Sequence, residues 1–450
     1  MVEKLLKFGR RLLPPKRHSV FPFAVLLVLL PLTAISCFSS DGPGDRTVIN
    51  FMFWGGYEEL DIWRELKRIY EEKYPDRFIK LEYVPGLYAD RLSLALVSGT
   101  AADVFNIDDD RFKIVAAGGH LEDLTPYLER DGPDLDLGDF FPGSLDTFKF
   151  NDVQWALPWD GAGVVLFYNA DLFDEAGLPY PWKDWTWDDL RDMAIKLTQD
   201  SDGDGRIDQF GYFVDLGWTN LQGPIWSWGT HGVLTPDNTR CALIDPRAIE
   251  VMQFMQDLKY KDHVGPRLGE MAQLLGDTML LTGRVAMISG GAYFASKLRL
   301  VEGIPWDYAH MPLGPNGQRY TRSTYDGISI YGKSTHKQEA WDWIRLVLSR
   351  RAQEIIARSG RNPCIRVKDA MEFYVRDDTL QHEEIVIEAM REYGRTTPQV
   401  VAEAQLSVAL NNEFSRLDYG AADAQEVAER SCIAVDRVLE DMRATYEVWQ

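Results

Sequence analysis

The chain has 450 residues, is 45% hydrophobic and carries a formal net charge of −21 at pH 7. This hydrophobic content is typical of globular proteins, and the length suits two lobes of ordinary size. Six basic residues lie before Ser19, so the rest of the chain is more acidic still. Because nucleic acids and anionic lipid surfaces need clustered Lys and Arg, this composition excludes both as partners.

The first 36 residues have the pattern of a secretion signal. A basic start precedes a stretch without charged residues from Ser19 to Ser40, as in signal peptides. Cys37, directly after Ala-Ile-Ser, resembles the lipobox cysteine of bacterial lipoproteins, whose thiol receives a diacylglycerol. Ala34 departs from that pattern, since leucine is commoner there. We therefore predict a lipoprotein signal peptide over residues 1–36 and lipidation of Cys37.

The alternative is a signal-anchor helix or a plain signal peptide. A bilayer-spanning helix needs roughly 20 apolar residues, whereas this segment is shorter and contains Pro22 and Pro31. Residues 37–46 are polar and rich in Gly and Ser, which predicts a flexible tether. The body of the protein would then face the periplasm or the cell exterior and contact the membrane through its lipid alone.

Four cysteines are too few for a disulfide scaffold. With Cys37 lipidated, Cys241, Cys364 and Cys432 remain. One disulfide is compatible with this number, and the sequence leaves its pair open. No spacing of Cys and His indicates zinc.

The body begins with alternating strands and helices. The predicted elements are a strand at 48–54, a helix at 57–74, a strand at 78–84, a helix at 87–98 and a strand at 103–107. This alternation predicts a parallel sheet with right-handed crossovers. Such sheets bind ligands beyond the carboxyl ends of their strands. Trp54, Tyr88 and Asp108 fall there, and we expect them to converge.

Further elements follow along the chain. The segment 156–169 is predicted to contain a strand after a Gly-rich bend, and strands are predicted at 283–289 and 327–332. A helix and turn are predicted at 120–131, and helices at 186–200, 245–260, 338–348 and over most of 352–359 and 421–440. Thr186 and Asp189 form a predicted capping box. Asp245-Pro246 is a typical helix start.

The segment DSDGDGRID at 200–208 resembles a calcium loop. Asp200, Asp202, Asp204 and Asp208 stand at positions 1, 3, 5 and 9, and Gly205 allows the sharp turn. Gly211 occupies position twelve, where a bidentate Glu is expected. We predict either a structural Ca²⁺ held by the four carboxylates or a solvated loop of Asx-turns.

The order of segments resembles the family 1 extracellular solute-binding proteins, the receptor subunits of ATP-binding-cassette (ABC) importers for sugars. The likeness is carried by FMFWGG (51–56), SGTAADVFNIDD (98–109), HLEDLTPYLERD (120–131), WALPWDGAGVVLFYNADLFDEAGL (155–178), WTWDDLRDMAIKLT (185–198), ALIDPRAIEVMQFMQDL (242–258), LLTGRVAMISGGAYF (280–294) and AWDWIRLVLS (340–349). Of these, LFYNADLFDEAGL followed by TWDDL is the most specific.

The resemblance implies a type II periplasmic-binding-protein fold, an α/β clamp of two lobes. Each lobe would hold a mainly parallel sheet flanked by helices, with chain crossings near 158–163, 321–327 and 359–365. The expected N-terminal lobe comprises 47–158 and 321–362, and the C-terminal lobe 163–320 and 363–450. A monomer would close on its ligand by hinge motion and deliver it to the permease.

A sugar offers hydroxyl groups and apolar C–H faces. Ionised carboxylates accept hydrogen bonds from hydroxyls, and aromatic rings cover C–H faces. The aromatic candidates are Trp54 and Tyr88 at strand ends, Trp159 in PWDGAG, Trp228 in GPIWSWG and Tyr293 after a Gly-Gly bend. The polar candidates are Asp108 at the end of the third strand, and Asp160 and Asp326 at the first two crossings.

Two alternatives remain. A receptor for a polyamine, peptide or phosphoester would use the same fold, and phosphate would call for convergent basic residues such as Arg319 and Arg322. A secreted glycoside hydrolase needs two carboxylates across a cleft, for which Asp108 and Asp160 could serve. The sequence contains no GxSxG, HExxH or P-loop motif, and we expect a non-enzyme without a catalytic cofactor.

Overall fold

The structure is a computed structural model that describes residues 42–270, 276–299, 301, 303, 305–360, 365–375, 381–397 and 400–447. Residues 43–450 form one compact unit. The predicted signal peptide, Cys37 and Cys364 lie outside the described residues. Within the described part of the chain, no helix is both long enough and apolar enough to cross a membrane.

The strands occur along the whole chain. Their bounds are β1 (Thr47–Phe53), β2 (Arg77–Tyr83), β3 (Val104–Asp108), β4 (Lys149–Phe150), β5 (Val153–Gln154), β6 (Leu157–Asn169), β7 (Phe210–Phe213), β8 (Val285–Gly291), β9 (Trp306–Ala309), β10 (Thr321–Ile330) and β11 (Gly394–Arg395). The predicted strands at 48–54, 78–84, 103–107 and 283–289 match β1, β2, β3 and β8 within two residues. The strand predicted after the Gly-rich bend within 156–169 is the second part of β6, which also includes the bend. The strand predicted at 327–332 is part of the longer β10.

Helices separate most of the strands. Their bounds are α1 (Tyr57–Lys73), α2 (Tyr88–Ser98), α3 (Asp109–Ala117), α4 (Thr125–Leu135), α5 (Ser144–Thr147), α6 (Ala170–Glu175), α7 (Trp187–Leu197), α8 (Trp218–Ser227), α9 (Pro246–Tyr260), α10 (Gly276–Leu281), α11 (Phe294–Leu298), α12 (Lys337–Val347), α13 (Arg350–Arg358), α14 (Val367–Tyr374), α15 (Glu384–Glu388), α16 (Glu403–Asp418) and α17 (Ala424–Glu447). Short 3₁₀ turns lie at Leu137–Asp139 and Leu268–Glu270, and a π-helical segment at Ala389–Tyr393.

The main sheet has the strand order β2-β1-β3-β10-β6-β8-β7, with β11 beside β10 and β9 beside β6. The pairs β1–β2, β1–β3 and β7–β8 are parallel. The strands β10 and β6 run antiparallel to each other, and β10 is also antiparallel to β3. The α/β fold with chain crossings, which the sequence predicts, is confirmed.

The crossing strands β6 and β10 separate the sheet into two halves. We call β2, β1 and β3, with α1, α3, α12 and α13 packed beside them, the β1 half. We call β8, β7 and β9, with α7, α8, α9, α16 and α17, the β8 half. The strand β6 joins both, because it pairs with β10 through residues 157–163 and with β8 through 164–168. The chain then passes from α13 through α14 to α15, which contacts β6 and β9.

Local sequence explains several element boundaries. Thr186 and Asp189 form the predicted capping box of α7, with Thr186 Oγ1 accepting from the Asp189 N–H at 3.2 Å. Asp245 caps α9 and Pro246 is its first residue. Gly99, with φ of 75°, ends α2 in the left-handed conformation that favours glycine.

Among the segments that differ from the sequence prediction, two are instructive. The helix predicted at 120–131 begins only at Thr125, because Leu121 pairs with Tyr331 as an isolated β-bridge. The helix α8 is not predicted, since Gly223 and Pro224 disfavour a helix. It forms nonetheless, and Leu221 through Ser227 are all buried. Tertiary burial therefore overrides the local preference there.

The disulfide that the sequence leaves open joins Cys241 and Cys432. It ties the segment before α9 to α17, and the Cys241 N–H also donates to Asp436 Oδ1 at 2.7 Å. The two cysteines are 191 residues apart. A cross-link over so long a loop stabilises a fold by about 4 kcal/mol, chiefly by restricting the unfolded chain. Such bonds persist in oxidising compartments outside the cytoplasm.

Candidate functional site

Three of the predicted carboxylates lie in one row across three neighbouring strands. Asp326 of β10 pairs with Asp108 of β3 on one side and with Asp160 of β6 on the other. Paired residues of adjacent strands are direct neighbours about 5 Å apart. The register therefore brings Asp326 beside Asp108, which lies more than 200 positions earlier in the chain. Asp160 is only 1% exposed, whereas Asp108 and Asp326 are half-buried.

The strand β10 has one face that is partly open. Arg322, Thr324 and Asp326 are half-buried, while Thr321, Ser323 and Tyr325 between them are buried. Because successive side chains of a strand point to opposite faces, this alternation identifies the solvated face. Asp160 and Ala162 of β6 pair with Asp326 and Thr324. We call Arg322, Thr324, Asp326, Asp160 and Ala162 the crossing floor.

Trp54 and Tyr88 lie at one end of the crossing floor, beside the ends of β1 and β3. Their rings meet edge to face with centroids 4.8 Å apart. The Tyr88 hydroxyl lies across the strand ends, within 2.7 Å of the Asn106 carbonyl oxygen, to which it donates, and 3.2 Å of that of Met52. The structure thus confirms the convergence of Trp54, Tyr88 and Asp108 that the strand–helix alternation predicts.

Burial controls the charges at this end. Burial raises the pKa of Asp108, and Arg111 opposes it through an ion pair. Asp108 also caps α3, accepting from the Arg111 N–H at 2.8 Å. Burial raises the pKa of Tyr88 far above its usual value, and the charges of Asp108 and Asp326 add to that rise. Tyr88 is therefore a neutral hydrogen-bonding group beside Asp108, whose ionisation burial disfavours and Arg111 favours.

Tyr293 lies near the other end of the floor. Gly291, two residues earlier, pairs with Val164, the one half-buried residue of β6. The Tyr293 side chain is 45% exposed and its ring meets Phe294 edge to face at 5.2 Å. An exposed aromatic ring beside the crossing strands is available to cover an apolar ligand face.

Trp159 and Trp228, by contrast, lie in the cores. Trp159 is 3% exposed and packs against Trp63 with ring centroids 4.9 Å apart. Trp228 is 7% exposed and packs against Phe254 at 5.6 Å and Trp187 at 6.2 Å. These positions correct the expectation from sequence, since burial favours a packing role for both tryptophans over ligand contact. Sequence position alone does not distinguish a half-exposed tryptophan from one in a core.

Sequence reasoning missed Asn106, Thr324 and the role of Arg322 in this region. Asn106 is 1% exposed and neither atom of its side-chain amide has a hydrogen-bond partner within the described residues. Arg322 forms an ion pair with Asp110 at 3.2 Å. The alternation of polar residues in TRSTYD at 321–326 could have indicated an open strand face.

A cavity of about 440 Å³ lies between α5 and the loop after α8, within the size range of small-ligand sites. Asp146 and Thr147 line it on one side, Trp226 and His231 on another, and Arg395 on a third. Arg395 pairs with Arg322 of the crossing floor through β11 and β10. This cavity therefore lies beside β11, next to the Arg322 end of the crossing floor.

The acidic loop at 200–208 is separate from the crossing floor. One carboxylate oxygen from each of Asp200, Asp202 and Asp208 lies within 4.8 Å of the others. Asp204, the fourth predicted ligand, instead accepts from the Arg206 N–H at 2.8 Å. A Cβ on Gly211 would lie 2.0 Å from the Ala194 carbonyl oxygen, so close packing against α7 excludes a glutamate at position twelve. Three of the four predicted ligands are brought together.

The chain matches a known family over most of its length. The family described as "Bacterial extracellular solute-binding protein" matches residues 58–354. A putative binding protein of Brucella abortus is 22% identical over 429 residues, which cover 92% of this chain and 98% of that protein.

Solved structures share the fold. An ABC substrate-binding protein from Listeria monocytogenes in complex with cycloalternan superposes with a TM-score of 0.79 at 22% identity, covering 88% of this chain and 99% of that one. The sugar-binding protein MalE from Xanthomonas citri superposes with a TM-score of 0.74 at 20% identity, covering 89% and 99%.

Proposed function

Because this chain belongs to the bacterial extracellular solute-binding protein family, we propose that it is the receptor subunit of an ABC importer for a sugar or oligosaccharide. The ligand would bind on the crossing floor between the two halves and be passed to the permease subunits. The observation that carries this proposal is the row Asp108, Asp326 and Asp160 beside Trp54 and Tyr88.

The chemistry of the floor suits a neutral polyol. Carboxylates accept from sugar hydroxyls, and half-buried carboxylates do so in a medium that strengthens each bond. Trp54 and Tyr293 supply rings at the two ends of the floor for C–H faces. Of the proteins that share the fold, the one from Listeria is in complex with cycloalternan and the one from Xanthomonas is described as a sugar-binding protein. We propose Trp54, Tyr88, Asp108, Asp326 and Tyr293 as the ligand set. Asp160, which the sequence predicts as a ligand residue, is only 1% exposed and lies beneath them as the neighbour of Asp326.

A phosphoester ligand fits the floor less well. Arg322 is already paired with Asp110, and three carboxylates lie on or beside the same floor. An anion placed there would be repelled by the ionised carboxylates of this row. A cationic polyamine or a peptide is compatible with the negative charge of the carboxylates, but it offers less apolar C–H surface for the rings of Trp54 and Tyr293 to cover.

The test is a thermal-shift screen followed by calorimetry. A tight ligand raises the apparent stability by mass action, about 2.7 kcal/mol at a concentration 100 times its dissociation constant. We expect a rise in melting temperature with one or more mono- or oligosaccharides, and none with polyamines, peptides or sugar phosphates. A rise with only the latter compounds would overturn the sugar assignment.

Catalysis is not part of the proposal. A hydrolase would need its second carboxylate to reach an attacking water or the sugar itself, and Asp160 is only 1% exposed. Incubation of purified protein with oligosaccharides should therefore release no reducing ends. Sustained release that is lost in the Asp108→Asn variant would establish the hydrolase alternative.

Two further assignments from sequence belong to the proposal. We propose that Cys37 carries a diacylglycerol that anchors a monomer at the outer side of the cytoplasmic membrane, which mass spectrometry of the N-terminal peptide would detect. We also propose a structural Ca²⁺ at Asp200, Asp202 and Asp208, supported by the convergence of their oxygens within 4.8 Å.

A further inference from the structure

Glu403 is a buried carboxyl group outside the proposed ligand set. It is the first residue of α16, and its side chain is 5% exposed. Its Oε1 atom has no hydrogen-bond partner among the described residues. A buried carboxylate without full pairing is costly, so such a group tends to be protonated.

Glu403 lies where helices of the two halves touch, close to Arg322 of the crossing strand β10. The helix α16 packs against α17 and α8 of the β8 half, and its Leu406 and Leu410 belong to the core of that half. The helix α3 follows β3 in the β1 half, and its Phe112 belongs to the other core. The two helices contact each other directly. Any hinge opening that moves the halves apart would therefore expose Glu403.

The charges that surround Glu403 come from two elements. Asp110 and Lys113 on α3 and Arg322 on β10 act on it, and Ser407 on its own helix is a hydrogen-bond partner. The helix α8 carries no titratable side chain. The ion pairs between α16 and α17 involve Glu413 and Arg416, toward the other end of α16.

These surroundings favour the neutral carboxyl. Burial, reinforced by the negative charge of Asp110, raises the pKa of Glu403 to about 8. Burial also lowers the pKa of Lys113, which is half-buried beside it. Arg322 offsets only part of this effect, because it is engaged by Asp110 at 3.2 Å.

We propose that the contact between α3 and α16 is a proton-dependent latch on the two halves. Closing the halves buries the Glu403 carboxyl and takes up one proton from solvent, and opening them releases that proton. The latch rests on the proposed receptor function, because it regulates the closure of the same two halves on their ligand. Closure would be favoured at acidic pH and weakened at alkaline pH.

The direction of the pH dependence follows from the protonation of Glu403 in the open and closed forms. With α3 against α16, as in this structure, the pKa of Glu403 is about 8. With the two helices apart, Glu403 would be exposed and would ionise near its ordinary value. Between these values the closed form holds one proton more than the open form. The ratio of closed to open protein therefore falls about tenfold per pH unit from roughly pH 5 to pH 8 and levels off above.

Energy transfer between two fluorophores tests the latch without any sugar. The dyes are attached through unnatural amino acids at Leu94 on α2 and Val408 on α16, which are 70% and 62% exposed. We expect transfer in the full-length protein to fall between pH 5 and pH 8. Glu403→Gln, a neutral isostere, should abolish that change, and Glu429→Gln on the exposed surface of α17 should retain it.

The outcomes separate the latch from the receptor function. A pH response that persists in Glu403→Gln, or a flat profile in the unsubstituted protein with sugar binding intact, overturns the latch alone. If Glu403→Gln does not fold, Asp110→Asn provides the test, since removing this like charge should lower the pH at which the profile levels off. An unshifted Asp110→Asn profile would then overturn the proposal.

Discussion

Trp54 and Trp159 occupy similar places in the sequence and opposite environments in the fold. Trp54 follows β1, is half-buried and meets Tyr88 edge to face. Trp159 lies inside β6, is 3% exposed and packs against Trp63, which is fully buried. Both are tryptophans beside glycines at strand positions where a ligand is expected. The comparison shows that packing against a neighbouring helix, here Trp63 of α1 on Trp159, determines whether such a ring is buried or remains partly exposed.

The largest expected effect is the loss of stability on substitution of the buried Trp159. Trp159→Ala removes a core indole and should lower the free energy of unfolding by about 4 kcal/mol. Denaturant titration measures this loss. Sugar affinity of the protein that remains folded should be close to that of the unsubstituted chain. A stable variant with weakened affinity would instead place Trp159 in the ligand site.

On the exposed side, Trp54→Ala should weaken sugar binding about 30-fold, or about 2 kcal/mol, as expected for truncation of an aromatic anchor. Unfolding free energy should change by less than about 1 kcal/mol, because the ring is only half-buried. Calorimetry with a sugar found in the screen gives the affinity. Trp182→Ala is the matched control, since Trp182 is 44% exposed and remote from the crossing floor in sequence and contacts. Equal losses in both variants would show a general rather than a site effect.

Two aspartates can likewise be compared, since Asp108 is proposed to bind the ligand and Asp245 only caps a helix. Asp108→Asn should weaken sugar binding about tenfold, because a hydrogen bond to a charged acceptor is lost. Stability should hardly change, since asparagine caps a helix as well as aspartate. Asp245→Asn, at the cap of α9, is the control and should leave affinity unaltered. Unchanged affinity in Asp108→Asn would restrict Asp108 to capping α3.

The smallest effect is expected at the acidic loop, which lies at an exposed turn. Removal of Ca²⁺ by a chelator should lower the melting temperature by about 2 °C, corresponding to about 1 kcal/mol for a weak extracellular site. Asp200→Asn should lower it similarly and make the protein insensitive to the chelator. A melting temperature that is the same with and without the chelator would leave the loop as a set of Asx-turns.

Local sequence determined the elements that carry their own signals. Alternating strand and helix patterns from 48 to 107 specified three parallel strands, and Thr186, Asp189 and Asp245 specified two helix starts. These features depend on contacts within a few residues, so they can be read from the chain. The convergence of Trp54, Tyr88 and Asp108 followed from the general geometry of parallel sheets.

Only the tertiary structure decided the rest. Pairing of β3, β10 and β6 placed Asp108, Asp326 and Asp160 in one row. Packing of the helices brought Cys241 to Cys432 and Glu403 against α3. Packing likewise buried Trp159 and Trp228 and made a helix of 218–227 despite its Gly and Pro. Each of these outcomes depends on residues far apart along the chain, whose mutual burial and register no local pattern encodes.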